Sequence, residues 1–64
     1  MLNGAKVLRL RGKNKLTQKE LADKSKMTIQ TISEIENGHR PNIMTDNLIS
    51  LALALDTEPA ELLK

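Results

Sequence analysis

The 64-residue sequence contains no cysteine, no aromatic residue and a single histidine. The absence of cysteine excludes disulfides and thiolate metal sites, and one histidine is too few for a histidine-based metal cluster. Without aromatic side chains, the chain has no platform on which the bases of single-stranded RNA or DNA can stack. It also lacks a cysteine nucleophile, the residues for a triad around its one histidine, and a glycine-rich phosphate loop. We therefore predict no enzymatic activity, no metal and no cofactor.

Long apolar stretches are missing as well. The longest, residues 51–55, has five residues, whereas a membrane-spanning helix needs roughly 20. No apolar segment follows the basic N-terminal stretch, so we expect no signal peptide. These features predict a soluble cytoplasmic protein without a membrane partner. The length predicts a single domain over residues 1–64, near the lower size limit for folding without disulfides or metals.

Charge is distributed unevenly along the chain. Residues 1–26 contain eight Lys or Arg and two acidic residues, a net charge of +6. Residues 27–64 contain two Lys or Arg and six acidic residues, a net charge of −4. A basic half suits a surface that faces phosphates. The alternative is that short helices collect lysines on their solvated faces.

The most informative segment is residues 16–38, where two short helix patterns are separated by only three residues. The first opens with Thr17 and has Glu20 three positions later, which is a capping box. The second opens at Thr28 and stops at Asn37-Gly38. Two helices joined so tightly cross steeply and leave the outer face of the second one free. This is the geometry of a helix-turn-helix, which places a recognition helix in the DNA major groove.

The whole pattern predicts an all-α fold of five helices without strands. The predicted helices cover about residues 3–13, residues 18–25, residues 29–37, a segment that starts after Thr45 or Asp46, and residues 59–63. In the fourth helix, four apolar residues follow the spacing of one buried helix face. The predicted core consists of Leu2, Val7, Leu10, Leu21, Ala22, Ile32, Ile35, Leu48, Leu51, Ala52 and Leu55.

The joint pattern resembles the lambdoid-phage repressor and Cro-type family of helix-turn-helix proteins, also called the Xre-type family. The matching residues are Leu10-Arg11, Leu16-Thr17-Gln18, Glu20-Leu21-Ala22, Met27, Ile32, Ile35-Glu36-Asn37-Gly38, Arg40-Pro41, Leu51-Ala52, Ala54-Leu55 and Leu62-Leu63. The resemblance covers nearly the whole chain. It implies a compact, lambda-repressor-like five-helix domain, with the helix-turn-helix formed by helices 2 and 3, that binds DNA, often as a dimer on a palindromic operator, and usually represses transcription.

Two positions depart from the family pattern. Lys26 occupies a turn position that is usually glycine, because the backbone there tends to be left-handed. A residue with a side chain costs of order 1 kcal/mol in that conformation. The segment between Pro41 and Leu48 is about two residues longer than usual, so the loop before the fourth helix is expected to follow a different path.

The helix period places Gln30 and Glu34 on the outward face of the third helix, with Ile29 at its edge. Glutamine can pair with N6 and N7 of adenine, glutamate can accept from N4 of cytosine, and isoleucine can touch the methyl group of thymine. The predicted base contacts are Thr28, Ile29, Gln30, Ser33 and Glu34. The alternatives are ordinary surface polarity for the polar residues and partial burial for Ile29.

Phosphate contacts are predicted at two places. Gln18 lies in the first turn of the second helix, beside unpaired amides that attract phosphate, and the family uses this position in that way. The loop after the third helix commonly meets phosphates. The predicted phosphate contacts are Thr17, Gln18, Thr31, Asn37, His39 and Arg40. For Gln18 and His39, the alternative is a solvated side chain.

The resemblance also implies a structural ion pair between Arg11 and Glu36, which would hold the recognition helix in place, and the alternative for Arg11 is a direct phosphate contact. On the fourth helix, Leu53 lies opposite the predicted core face. Together with Ile49, it is predicted to form a dimer surface, to which the loop residues Ile43 and Met44 are further candidates. The alternative is an isolated exposed leucine, which is common on protein surfaces.

These residues predict sequence-specific binding to a double-stranded DNA operator by a phage or bacterial transcriptional repressor, as a homodimer on DNA. One alternative is an antitoxin-type regulator that binds both DNA and a toxin partner. Another is a protein-interaction module without DNA binding, which the acidic residues Glu34 and Glu36 and the unusual Lys26 leave open. Salt-dependent binding to duplex DNA distinguishes this module from the other two.

Overall fold

The computed structural model describes all 64 residues and contains four α-helices and one 3₁₀ helix, without strands. The elements are α1 (Gly4–Lys13), α2 (Gln18–Ser25), α3 (Ile29–Glu36), α4 (Thr45–Ala54) and the C-terminal 3₁₀ helix (Pro59–Leu63). The predicted all-α class is confirmed. The bounds of the first three helices agree with the predicted ones to within one residue.

The prediction of a fifth α-helix is wrong, because Pro59–Leu63 forms a 3₁₀ helix. A segment of five residues is barely longer than one helical turn, and pieces this short often adopt the tighter i→i+3 hydrogen bonds of the 3₁₀ helix. Such bonds run from the amide of Glu61 to the carbonyl of Glu58 (3.0 Å) and from Lys64 to Glu61 (3.4 Å). Leu62 is fully buried and anchors this helix to the core.

Helix α4 begins at Thr45, one to two residues before the predicted start. Met44 occupies the N-cap position and provides no side-chain hydrogen bond, while its carbonyl accepts from the amide of Leu48 at 2.9 Å. Asp46 therefore lies in the first turn, where a negative charge is favourable beside the positive end of the helix dipole. Thr45 and Asp46 thus lie within the first turn of α4 and do not occupy its N-cap position.

The predicted caps of the helix-turn-helix are present. The amide of Thr17 donates to Oε1 of Glu20 at 2.8 Å, and the amide of Glu20 donates to Oγ1 of Thr17 at 3.0 Å. This reciprocal pair is the predicted capping box, and it fixes the start of α2. Thr28 caps α3, since its Oγ1 accepts from the amide of Thr31 at 3.1 Å.

A single cluster of ten buried apolar residues forms the core, and all five elements contribute to it or pack on it. Helix α2 packs against α3 and α4, while α1 packs against α3 and the 3₁₀ helix. Two predicted core residues, Leu10 and Leu48, are partly buried at its edge, and Leu62 joins it without having been predicted. The buried cluster consists of Leu2, Val7, Leu21, Ala22, Ile32, Ile35, Leu51, Ala52, Leu55 and Leu62.

The N-terminal segment holds α1 tightly against the end of α3. Gly4 is buried so close to α3 that a Cβ atom there would collide with the carbonyl oxygen of Ile35. The amide of Leu2 donates to the carbonyl of Pro41, and the amide of Asn3 donates to that of Leu62, both at 2.8 Å. The close approach at Gly4 thus sets α1 against the end of α3, and the two hydrogen bonds tie the N-terminal segment to the loop before α4 and to the 3₁₀ helix.

Lys26 adopts the left-handed conformation that its position requires, with φ 59° and ψ 39°. Helix α2 ends at Ser25, so the turn keeps the predicted register despite the missing glycine. The next amide, that of Met27, donates to the carbonyl of Ala22 at 2.9 Å and closes the end of α2. The lysine thus carries a local strain that glycine would avoid.

Replacing Lys26 by glycine should stabilise the fold by about 1 kcal/mol, because glycine reaches positive φ without a clash at Cβ. The midpoint of urea unfolding, followed by far-ultraviolet circular dichroism, should rise. Lys24→Gly is the matched control: it removes the same charge inside α2 and should destabilise the fold by roughly 0.5–1 kcal/mol. If both variants unfolded at lower urea than the parent, strain at Lys26 would not be the explanation.

Candidate nucleic-acid interface

One side of α3 is free of contacts with the other helices. Ile32 and Ile35 point into the core, while Ile29, Gln30 and Asn37 are exposed. Ile29, for which partial burial against the core was the alternative, is 45 % exposed. The outward face therefore presents an apolar side chain at the N-terminal end and polar side chains along the rest of its length.

The predicted contact residues at the start of α3 lie in two different surroundings. Thr28 is exposed, and its hydroxyl lies 3.0 Å from that of Thr31. Thr31 is partly buried and lines a cleft of about 130 Å³ between α3 and the loop that leads into α4, together with Ile43 and Met44. Ser33 is partly buried on the outer face, where its hydroxyl accepts a long hydrogen bond from Asn37 at 3.4 Å.

The buried carboxylate of Glu36 connects three elements at the inner side of α3. Arg11 of α1 donates from Nε to Oε2 at 2.6 Å and from Nη2 to Oε1 at 3.1 Å. Gln18 of α2 donates from Nε2 to Oε1 at 3.0 Å. The Glu36 side chain is 4 % exposed, and that of Arg11 is 19 % exposed. The predicted ion pair is present, and it is bidentate and largely shielded from water.

Arg11 has a further partner, since its Nη1 donates to the carbonyl of Leu16 at 2.9 Å in the segment between α1 and α2. The hydrogen bond to Glu36 is the main cause that raises the pKa of Arg11 above its usual value. An arginine stays charged in proteins, and this hydrogen bond stabilises its charged form further. The guanidinium holds the start of α2 and the end of α3 in a fixed relation to α1.

The first turn of α2 keeps unpaired backbone amides. The capping box satisfies the amides of Thr17 and Glu20, which leaves those of Gln18 and Lys19 directed away from the helix. The side chain of Gln18 uses one amide hydrogen for Glu36, so one hydrogen remains for a further acceptor. This end of α2 is the place where a phosphate would be attracted.

On the outward face, Glu34 binds residues from both sides. Nε of Arg40 donates to Oε1 of Glu34 at 2.7 Å, and Nε2 of Gln30 lies 3.5 Å from Oε2. The hydrogen bond from Arg40 is the main cause that lowers the pKa of Glu34 below its usual range. The carboxylate is therefore charged at neutral pH and is already engaged by a cation.

The loop after α3 turns at Gly38, whose φ of 78° lies in the left-handed region. The amide of His39 donates to the carbonyl of Glu34 at 2.8 Å, which ends the helix and brings the chain back over its outer face. Asn37, His39 and Arg40 are exposed in this loop. Three of the predicted phosphate contacts thus lie close together beside α3.

Fewer cations of the basic N-terminal half are available to a ligand than its net charge implies, because three of them form ion pairs within the fold. Arg11 is used inside the fold, Lys6 lies 3.3 Å from Glu61, and Lys19 lies 3.1 Å from Asp23. The remaining cations of this half form no ion pair and are Arg9, Lys13, Lys15, Lys24 and Lys26. These side chains are the ones that can contribute a long-range positive field.

The predicted dimer residues are exposed on α4. Leu53 is 76 % exposed and Ile49, one turn earlier, is 44 % exposed. Met44 is also exposed, whereas Ile43 packs against the core and so does not extend the patch. The apolar α4 surface therefore consists of Ile49 and Leu53, with Met44 at the start of the helix.

The sequence did not predict three polar contacts at or behind the interface, one of which is the pair of Glu34 and Arg40. It did not predict the hydrogen bond from Gln18 to Glu36, although the implied Arg11–Glu36 pair signalled a buried carboxylate with further acceptor sites. It also missed the side chain of Asn14, whose Nδ2 donates to the carbonyls of Leu10 (2.8 Å) and Leu55 (3.0 Å) and joins α1 to the end of α4. No pattern in the sequence indicates the contact of Asn14 with Leu55.

A family model described as helix-turn-helix matches residues 7–62. The chain belongs to this helix-turn-helix family. The match confirms the resemblance to Xre-type regulators that the segment between Leu10 and Leu63 indicated. Among curated proteins, no sequence matches the chain.

Two solved structures of regulators are similar to this helix-turn-helix protein along most of its length. The restriction-modification controller protein C.AhdI from Aeromonas hydrophila is 37 % identical with a TM-score of 0.85, covering 92 % of this chain and 88 % of C.AhdI. The clp gene regulator ClgR from Corynebacterium glutamicum is 30 % identical with a TM-score of 0.81, covering 94 % of this chain and 77 % of ClgR. The chain is a DNA-binding regulator of transcription, as its sequence predicted.

This helix-turn-helix fold contains neither a metal-binding cluster nor a membrane-spanning helix. No group of three or more His, Asp or Glu side chains is arranged to hold a metal ion. No helix combines the length and the apolar character that crossing a membrane requires.

Arg11→Ala should destabilise the fold by much more than Lys13→Ala, because it leaves the carboxylate of Glu36 buried with only Gln18 as a partner. Loss of one member of a fully buried pair costs roughly 3–5 kcal/mol, which is the upper bound here. Lys13 is exposed and unpaired, so its replacement should change stability by no more than about 0.5 kcal/mol. Urea unfolding of both variants tests this difference. Equal midpoints would mean that the Arg11–Glu36 pair does not hold the helices together.

Proposed function

We propose that this chain is a phage or bacterial repressor that binds a specific duplex operator by inserting α3 into the major groove. The observation that carries this proposal is the two-sided character of α3. Its inner side is fixed by Ile32, Ile35 and the Glu36 network, while its outer face has no contact with the other helices. A rigid helix with a free polar face is what major-groove recognition requires.

The proposed base contacts lie along the outer face of α3. Gln30 presents a side-chain amide of the kind that pairs with adenine, and the exposed methyl groups of Ile29 suit the methyl group of thymine. Thr28 and Ser33 supply hydroxyls at the edges of the same face. Glu34 lies between Gln30 and the loop, where it is joined to Arg40.

The proposed phosphate contacts flank this face on two sides. At the start of α2, Thr17 and Gln18 lie beside free backbone amides that favour an anion. On the other side, Asn37 and His39 are exposed in the loop after α3, and the partly buried Thr31 lines the neighbouring cleft. Contacts on both sides of α3 would fix its depth and register in the groove.

We further propose that residues 1–64 act as one DNA-binding domain in the cytoplasm, where bacterial DNA lies, and that the domain pairs on DNA through the apolar α4 surface. One recognition helix reads only a few base pairs, and a two-fold dimer doubles the contacts. Its half-sites would lie roughly 34 Å apart, about one turn of DNA. The patch of Ile49 and Leu53 is small, which favours a monomer in solution that pairs on the operator.

The test of the proposed function starts with selection of bound sequences from a pool of random duplex DNA. Affinity for the selected duplex should fall steeply with salt, with about −0.9 added to the log–log slope for each neutralised phosphate. The selected duplex should bind far more tightly than an unselected one at the same salt. Equal affinity for both duplexes at low salt would contradict sequence-specific binding, and no binding to either would favour a protein-interaction module.

Two variants, tested for DNA binding in the same experiment, distinguish a base contact from a phosphate contact. Gln30→Ala should lose the preference at one operator position, worth roughly 1–3 kcal/mol. Gln18→Ala should instead weaken binding about equally on all duplexes. Because Gln18 also donates to Glu36, the Gln18→Ala variant should be less stable than the parent. Its DNA binding is therefore measured under conditions in which the variant is shown to be folded. Identical behaviour of the two variants would contradict this division of roles.

Leu53→Glu should leave the fold intact and abolish cooperative binding to a palindromic duplex, because a charge on the apolar α4 surface opposes pairing. Leu8→Glu is the matched control, since Leu8 is an exposed leucine on α1, outside the patch. Band-shift titration on a full palindrome and on a single half-site measures the cooperativity. Unchanged cooperativity in Leu53→Glu, with the helical signal preserved, would place the dimer surface elsewhere.

A further inference from the structure

The pair of Glu34 and Arg40 places a guanidinium over the outer face of the recognition helix. Arg40 lies six residues beyond Glu34, outside α3, yet its Nε is only 2.7 Å from the carboxylate. Gln30 lies one turn before Glu34, with its amide 3.5 Å from the other carboxylate oxygen. Three side chains thus form a row along the surface that faces outward, and Arg40 is its last member.

The hydrogen bond to Glu34 uses only one of the donors of Arg40. A guanidinium has five N–H groups, and the four on Nη1 and Nη2 have no protein partner here. They form a planar fork that fits two acceptors side by side, such as O6 and N7 at the major-groove edge of guanine. The Arg40 side chain is 51 % exposed, so this fork is accessible.

The same pair makes Arg40 a poor anchor for a phosphate. Its positive charge is balanced by the carboxylate of Glu34, which would itself repel a nearby phosphate. A neutral pair gains little from the charge of the DNA backbone, but it keeps the directional hydrogen bonds that distinguish one base from another. The carboxylate also limits the freedom of a long side chain, so less entropy is lost when the fork binds a base edge.

We propose that Arg40 reads a guanine in each operator half-site and that Glu34 is the residue that positions it. This inference rests on the proposed function, since it needs α3 to lie in the major groove. It replaces two roles that the sequence predicted: Arg40 acts on a base and not on a phosphate, and Glu34 acts through Arg40 and not on cytosine. Gln30 keeps its own base contact at the other end of the row.

The test measures base preference position by position on the duplex selected with the parent chain. Each operator position is changed to the other three bases, and the affinities of the parent and of the variants are compared at one salt concentration. Arg40→Ala should reduce the preference for guanine at one position per half-site by roughly ten- to a hundred-fold. Arg40→Lys should lose the same preference while keeping most of its affinity for unselected duplex, because lysine retains the charge but not the fork.

Glu34→Gln tests the positioning role. It should weaken the preference for guanine at the same position and leave affinity for unselected duplex equal or higher, since the chain gains one net positive charge. In the Arg40→Ala background, Glu34→Gln should have no further effect at that position. Glu58→Gln is the matched control: it changes the net charge equally at an exposed, unpaired carboxylate next to the 3₁₀ helix, and it should alter no base preference.

Two results would overturn the inference while leaving the proposed function intact. One is an unchanged base preference at every position in Glu34→Gln. The other is a uniform loss of affinity in Arg40→Ala on all duplexes, with the salt slope reduced by about 0.9, which is the behaviour of a phosphate contact. Failure of the parent chain to bind any duplex would be seen before the variants are made, and it would overturn both proposals.

Discussion

The orientation of α3 depends on the carboxylate of Glu36. Apolar packing of Ile32 and Ile35 holds the helix against the core, but the hydrophobic effect has no direction and tolerates small rotations. A carboxylate that is 4 % exposed is costly unless it is paired, and its partners must meet it at defined angles. Arg11 provides two such bonds from α1, and Gln18 provides one from α2. Rotating α3 would break all three, so this network determines which side chains of the helix face outward.

The two glutamates of α3, Glu34 and Glu36, have opposite roles because they lie two positions apart on the helix. At about 100° per residue, Glu34 and Glu36 point to nearly opposite sides of the helix. Glu36 points inward, where its charge stabilises the fold through Arg11 and Gln18. Glu34 points outward, where Arg40 balances its charge and lowers its pKa. If this face meets DNA as proposed, an unpaired acidic residue on it would repel the phosphates, and the pairing with Arg40 removes that conflict while retaining hydrogen-bonding groups on the surface.

The sequence predicted the features that are encoded locally. The capping box of Thr17, the cap of Thr28 and the apolar spacing of α4 each involve residues within two turns of each other, and all three are present. Two of the contacts that it missed depend on how loops and distant helices are brought together. Whether Arg40 meets Glu34 is decided by the turn at Gly38, and whether Asn14 reaches the end of α4 is decided by how α1 and α4 are brought together. The 3₁₀ helix was missed because five residues do not establish a period.

A net positive charge in one half of a sequence does not by itself show which cations are available to bind DNA. Of its eight cations, Arg11 stabilises the fold, and Lys6 and Lys19 are paired with acids. The five unpaired cations can attract DNA of any sequence, because a field acts at a distance and does not distinguish bases. The outer face of α3, by contrast, carries almost no net charge once Glu34 and Arg40 are joined. The proposed function therefore assigns affinity and specificity to different groups: the unpaired lysines and Arg9 would bring the duplex close, and a nearly neutral set of oriented hydrogen-bonding groups would select its sequence.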